Sequence, residues 1–89
     1  MLSAEYVRDA VQRSATEAML YPLPRRIAVW LHLNNRDEAW FHEQFRGMAS
    51  KNPMYNAIQN ELRDIEHGLI VITPELARLA KGWCVFQES

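Results

Sequence analysis

The chain has 89 residues, of which 48% are hydrophobic and 24% are charged, so it has the proportions of one small folded domain rather than of a disordered segment. Its formal net charge of −1 excludes a globally basic nucleic-acid binder and leaves only a local basic patch for contacts with phosphates. The single cysteine, Cys84, cannot form an internal disulfide, which excludes a secreted disulfide scaffold.

The sequence also predicts a cytoplasmic location without a membrane span. The opening residues Met1–Arg13 contain no long apolar run and carry acidic side chains, unlike a secretory signal peptide. The longest apolar stretch, Ile27–Leu33, is interrupted by His32 and is far too short to cross a bilayer. We therefore expect a single cytoplasmic domain over residues 1–89.

The first predicted element is an amphipathic helix over Ser3–Leu20, with Ser3 as its cap. Less polar side chains recur at helical spacing between Val7 and Ala18, and alanine is frequent among them. A chain this short buries limited surface by itself, and small side chains suit close packing of helices. We therefore expect residues 1–21 to form an N-terminal helix through which the chain makes a homodimer.

Two prolines interrupt the chain after this helix, and Tyr21–Pro24 is predicted to be a stiff, extended connector. The next segment, Arg25–Leu33, fits two structures. Ile27 and Val29 belong to an alternating pattern typical of a strand, whereas Ile27 and Trp30 share one face of a helix. Because periodicity alone does not decide the structure of a short apolar run, both alternatives stay open, with the helix slightly favoured.

A second helix is predicted over Asn35–Arg46. Asn35 can cap it, Glu38 stands three residues later in the capping-box position, and Gly47 is placed to end it. Aromatic side chains form the apolar face of this segment.

The clearest helix signals occur over Asn52–His67. Asn52 can act as the N-cap, Pro53 suits the first turn, and Gly68 is placed to stop the helix. Four apolar side chains repeat at near-helical intervals and are predicted to lie in the core: Met54, Ile58, Leu62 and Ile65.

Two short strands are predicted near the C-terminus. Leu69–Thr73, with four apolar residues and a threonine, is the first, and Trp83–Gln87 is the second. A helix over Glu75–Lys81, with Thr73 as its cap and Gly82 at its end, separates them. The predicted fold class is therefore α+β, mainly α, with helices followed by a small two-stranded β element.

One face of the Asn52–His67 helix is rich in amide and guanidinium groups, and it predicts a binding site. Asparagine and glutamine can pair with adenine, and arginine with guanine. The alternative is a solvated helix face, which acidic neighbours such as Glu61 and Asp64 favour. The candidate DNA contacts, together with nearby basic residues, are Lys51, Asn52, Tyr55, Asn56, Gln59, Asn60, Arg63, Arg78 and Lys81.

This order of elements resembles the winged helix-turn-helix family. In Leu62–Ile70, an aliphatic pair, a glycine and Leu-Ile resemble the end of a recognition helix that leads into a wing. The resemblance covers roughly residues 24–87 and implies that Asn52–Arg63 enters the major groove. It therefore implies a DNA-binding transcriptional regulator with a winged-helix-like core.

No residue pattern predicts catalysis, a cofactor or a metal centre. His32, His42 and His67 lack the close pairing of zinc ligands, and Cys84 lies in a predicted strand, where a buried, inert thiol is expected. No nucleophile with a base can be assigned. We expect a non-enzymatic binding protein whose partner is DNA or, alternatively, another protein bound through an exposed aromatic and helical surface.

Overall fold

The computed structural model describes residues 4–14, 23–45, 47 and 52–88, and it describes side chains at 4–9, 11, 23–45, 47 and 52–81. The described residues form five helices: α1 (Ala4–Ser14), α2 (Leu23–Leu33), α3 (Glu38–Phe45), α4 (Pro53–Glu66) and α5 (Pro74–Glu88). None of the helices in this part of the chain has both the length and the apolar character needed to cross a bilayer.

Helix α2 lies at the centre of the fold. It packs against both α4 and α5, while α3 packs against α4. Every residue from Ile27 to Leu31 is buried, so that α2 is covered on all sides over this stretch. Arg25–Leu33 therefore lies in a helix, which confirms the helical alternative. Ile27 and Val29 alternate as in a strand only because this stretch of the helix is apolar on all sides.

The predicted β element is wrong. Leu69–Thr73 is a connector without regular secondary structure, and the backbone of Trp83–Gln87 belongs to α5. No strand occurs among residues 4–14, 23–45, 47 and 52–88, so the α+β, winged-helix-like fold is overturned and the wing is missing. Helix α5 continues through Gly82 because one glycine inside a helix costs only about 1 kcal/mol. With the second segment helical, Leu69–Thr73 has no strand among the described residues with which to pair.

Helix α3 begins at Glu38, and the predicted cap at Asn35 is wrong. Asn35 has a φ of 61° and belongs to the turn that follows α2, where its N–H donates to His32 O at 3.0 Å. Asparagine tolerates this left-handed conformation better than most residues. The cap of α3 is Asp37, whose Oδ1 accepts from Trp40 N at 2.7 Å.

The signals at both ends of α4 are confirmed. Asn52 Oδ1 accepts from Met54 N at 2.9 Å, and Pro53 occupies the first turn. Gly68 has a φ of 75° and ends the helix. The four side chains predicted to be core are all buried: Met54, Ile58, Leu62 and Ile65.

The N-terminal part agrees in part with its predictions. Helix α1 lies inside the predicted Ser3–Leu20 helix, of which the predicted cap Ser3 and residues 15–20 fall outside the described residues. Val7 and Val11 are buried in the core of the same chain, and a dimer through this helix stays a prediction. The extended connector is wrong at Leu23 and Pro24, which begin α2, because proline is accepted in a first helical turn.

Candidate partner-binding groove and the polar face of α4

A groove with a cavity volume of about 690 Å³ lies between α2, the connector 69–73 and the first turns of α5. Aliphatic side chains dominate the connector side, and charged side chains stand on the two helices. The lining residues are Arg25, Arg26, Leu69, Ile70, Val71, Thr73, Glu75, Leu76 and Leu79. Its size is that of a site for a short peptide segment or a small molecule.

Hydrogen bonds fix the connector at both ends. After the left-handed turn at Gly68, the N–H groups of Leu69 and Ile70 donate to Asp64 O at 2.8 and 3.3 Å. At the other end, Thr73 Oγ1 accepts from Leu76 N at 3.1 Å and caps α5. The path of the connector therefore follows from two local capping motifs and not from pairing with another strand.

Side chains along the connector alternate in exposure. Leu69 and Val71 are 73% and 76% exposed, while Ile70 and Ile72 pack against the core. Leu79 of α5, also partly exposed at 37%, lies beside them in the groove. Single exposed aliphatic residues are common on protein surfaces, but an adjoining group of them at a concavity is typical of an interaction site.

The backbone of the connector is also open to a partner. Val71 and Ile72 make no backbone hydrogen bond to any other described residue. An extended peptide can bind such a segment by strand addition, in which its main chain pairs with free N–H and C=O groups and its side chains contact the exposed aliphatic residues.

Two arginines of the first turn of α2 differ in their partners. Arg25 Nε lies 3.1 Å from Glu61 Oε2, so its charge is balanced by a carboxylate. Arg26 donates from Nε and Nη2 to the carbonyl oxygen of Leu79, at 3.3 and 3.0 Å. Arg26 lines the groove and forms no ion pair with a carboxylate among the described residues.

Several residues predicted to contact DNA hold the fold together. Asn52 caps α4, and the buried ring of Tyr55 stacks on Phe41 with 5.2 Å between ring centroids. The Tyr55 hydroxyl lies 2.8 Å from His42 Nδ1. Burial, and to a smaller degree the charge of Glu38, raise the pKa of the Tyr55 phenol above its usual value of 10.0. The side chains of Asn52 and Tyr55 are thus engaged inside the molecule.

Other predicted contacts lie on the surface. Asn56 and Asn60 are exposed and Gln59 is half-buried, and their spacing places them on one side of α4. Arg63 is bound to Glu38, with Nη2 2.8 Å from Oε2. Arg78 and Lys81 are exposed on α5, and Lys51 lies outside the described residues. Contact of these residues with DNA stays a prediction.

Sequence reasoning missed the groove because it assigned Leu69–Thr73 to a strand. One available signal pointed elsewhere: helix-ending Gly68 precedes the segment, and helix-starting Thr73 and Pro74 follow it. Five residues between two helix boundaries suit a connector, and aliphatic residues in a connector indicate a covered or binding surface.

No protein-family model matches this chain, and neither the curated proteins nor the solved structures contain a significant match. Among the described residues, no group of histidine, cysteine, aspartate or glutamate side chains is arranged to hold a metal ion.

Proposed function

We propose that this chain is a non-enzymatic protein-interaction module that binds an extended, apolar segment of a partner protein along the connector 69–73. The observation that carries the proposal is the combination of exposed Leu69 and Val71 side chains with a backbone at Val71 and Ile72 that pairs with no other described residue. Such a surface offers the two kinds of contact that strand addition uses, main-chain hydrogen bonds and side-chain contacts. Main-chain hydrogen bonds supply affinity, and alternate side chains of the peptide supply specificity.

The groove next to the connector suits the inward side chains of that peptide. Ile70, Leu76 and Leu79 provide an aliphatic lining, and Ile70 and Leu76 are themselves packed against the core. Because the connector is fixed by caps at both ends, little ordering is required when a partner docks. Covering one valine or leucine contributes about 1.5–3 kcal/mol, so a few such contacts are enough for a measurable affinity.

The test is a selection of peptides from a random display library against the intact protein, followed by substitution of the connector. Val71→Ser should weaken binding of the selected peptides by about tenfold or more, since a tenfold change corresponds to roughly 1.4 kcal/mol. Leu33→Ser is the matched control, because Leu33 is 42% exposed and does not line the groove. N-methylation of alternate peptide backbone nitrogens should also abolish binding if main-chain pairing contributes.

Two results would contradict this proposal. One is a set of selected peptides whose binding is unaffected by Val71→Ser. The other is amide resonances that shift elsewhere on the protein while those of residues 69–79 stay unchanged on addition of peptide.

The amides on one side of α4 favour a second candidate function, a DNA-binding regulator that presents exposed Asn56 and Asn60, with half-buried Gln59, to base edges. Affinity should then fall steeply with salt, because phosphate contacts release counterions. A gel shift with genomic fragments at low salt tests this candidate. If no shift is seen at tens of micromolar protein, where non-specific binders are usually detected, DNA binding is excluded and the protein-interaction function is the one candidate left.

A further inference from the structure

We infer that the groove selects a segment in which an acidic side chain accompanies the apolar residues, and that Arg26 is the group that binds this carboxylate. The inference rests on the proposed function, since it requires that the groove is the docking site. It adds the chemistry of the partner, which the apolar surface alone does not determine.

The first support is the state of the Arg26 guanidinium. A neutral carbonyl, Leu79 O, accepts from Nε and Nη2, which orients the side chain without balancing its charge. Nη1 has no acceptor among the described residues. Arginine binds carboxylates through pairs of N–H groups, and such charge-assisted bonds are stronger than neutral ones. The guanidinium of half-buried Arg26, whose Nη1 has no described acceptor, can therefore bind an anion beside the aliphatic lining.

The second support is the position of Arg26 at the beginning of α2. The first turn of α2 contains Arg25 and Arg26 and no acidic residue. Both cations thus lie near the positive end of the helix dipole, where negative charge is favoured. Glu61 compensates Arg25, but no described carboxylate does the same for Arg26.

Glu75, the acidic residue of the groove, does not remove this preference. It occupies the first turn of α5, where the helix dipole already stabilises a carboxylate. In the groove, Arg26 is contributed by α2 and Glu75 by α5. An acidic side chain of the partner is therefore favoured beside Arg26 and disfavoured beside Glu75.

The probes are short fluorescein-labelled peptides in which valine and leucine alternate with glutamate, glutamine or lysine, all with an amidated C-terminus. A glutamine peptide with a free C-terminal carboxylate is added as a fourth probe. By fluorescence anisotropy, the glutamate peptide should bind about tenfold or more tightly than the amidated glutamine peptide, as expected of one charge-assisted hydrogen-bonded pair.

Arg26→Gln should abolish the difference between the glutamate and glutamine peptides. Arg78→Gln is the matched control, since it makes the same charge change at an exposed arginine of α5 that does not line the groove. Arg26→Glu should reverse the order and favour the lysine peptide. This reversal keeps the test decisive even if the loss of the bond to Leu79 O shifts α5, because a distorted groove would weaken every peptide alike.

The other outcomes separate the two levels of the proposal. Equal binding of the glutamate and glutamine peptides, with shifts at residues 69–79, would overturn the acidic partner and leave the interaction module standing. If the glutamine peptide with a free C-terminal carboxylate binds as tightly as the glutamate peptide, the group that Arg26 recognises would be the C-terminal carboxylate of the partner and not an acidic side chain. A dimer that Val71→Ser dissociates would make a second copy the occupant, and this too would overturn the inference.

Discussion

Arg63 of α4 and Glu38 of α3 form a salt bridge in which Nη2 and Nε lie 2.8 and 3.0 Å from the same carboxylate oxygen, Oε2. The two side chains are 47% and 24% exposed, so solvent screens much of their attraction. In a double-mutant cycle of Arg63→Ala and Glu38→Ala, we expect a coupling of about 0.2–1 kcal/mol. Urea unfolding measures it, and strictly additive losses would show that the pair is not formed in solution.

Leu62 is completely buried in the core. Leu62→Ala should lower the free energy of unfolding by about 2–5 kcal/mol, since it removes buried methyl groups and leaves a cavity. Asn60→Ala, two positions earlier on the exposed side of α4, is the control and should change stability by less than about 0.5 kcal/mol. Equal effects in chemical denaturation would mean that the register of α4 is wrong.

Gly68 is needed for its backbone conformation and not for space. Its φ is 75°, and no neighbouring atom of the described residues lies within 4 Å of the position that a Cβ would take. Gly68→Ala should cost about 1–2 kcal/mol because a left-handed conformation strains residues with a Cβ. Gly47 also has open space, without a positive φ, so Gly47→Ala should be nearly neutral. Thermal unfolding of both variants provides the comparison; similar melting temperatures would rule out the strained turn.

Tyr55 should make the protein less stable in alkali. Burial first, and then Glu38, raise the pKa of its phenol in the folded state above 10.0. Above that pH the unfolded chain loses this proton while the folded chain keeps it, so stability falls as pH rises towards the folded pKa. The free energy of unfolding of Tyr55→Phe should decline less steeply with pH above about 10 than that of the wild type. Parallel declines would show that Tyr55 ionises equally in both states.

The predicted homodimer concerns the N-terminal helix. Sedimentation equilibrium at micromolar concentration should give about twice the 10.4 kDa mass of the chain. The reason is the small surface that a chain of this length buries by itself. A clean monomer would exclude the dimer, which Val7 and Val11 do not require because they are already buried within the chain.

The ends of α4 were predictable because caps are local. Asn52, Pro53 and Gly68 act through bonds to residues a few positions away, so the sequence around them contains the information. The structure of Leu69–Thr73 was harder to predict, because the local caps on both sides of it conflicted with its strand-like composition. Valine and isoleucine suit a strand, but a strand exists only if a second one pairs with it, and Trp83–Gln87 lies within the helix that begins at Pro74.

The candidate site was predictable only in part for a similar reason. Tyr55 counts as polar in a pattern, yet its ring is buried on Phe41 while its hydroxyl reaches His42. The groove depends on Arg26 meeting Leu79, which are 53 positions apart in the chain. The spacing of residues within one helix cannot predict a contact between two helices that are so far apart in the chain.

The connector 69–73 also has a consequence for how the chain behaves at high concentration. Five consecutive residues, Leu69 to Thr73, carry no charge and have high β-propensity, and two of their aliphatic side chains are largely open to water. Segments of this kind nucleate intermolecular cross-β assembly unless something covers them. With a net charge of only −1, mutual repulsion between copies offers little protection. The time for which the protein stays free of aggregates in solution should therefore depend on the fraction of molecules whose connector is covered by a partner.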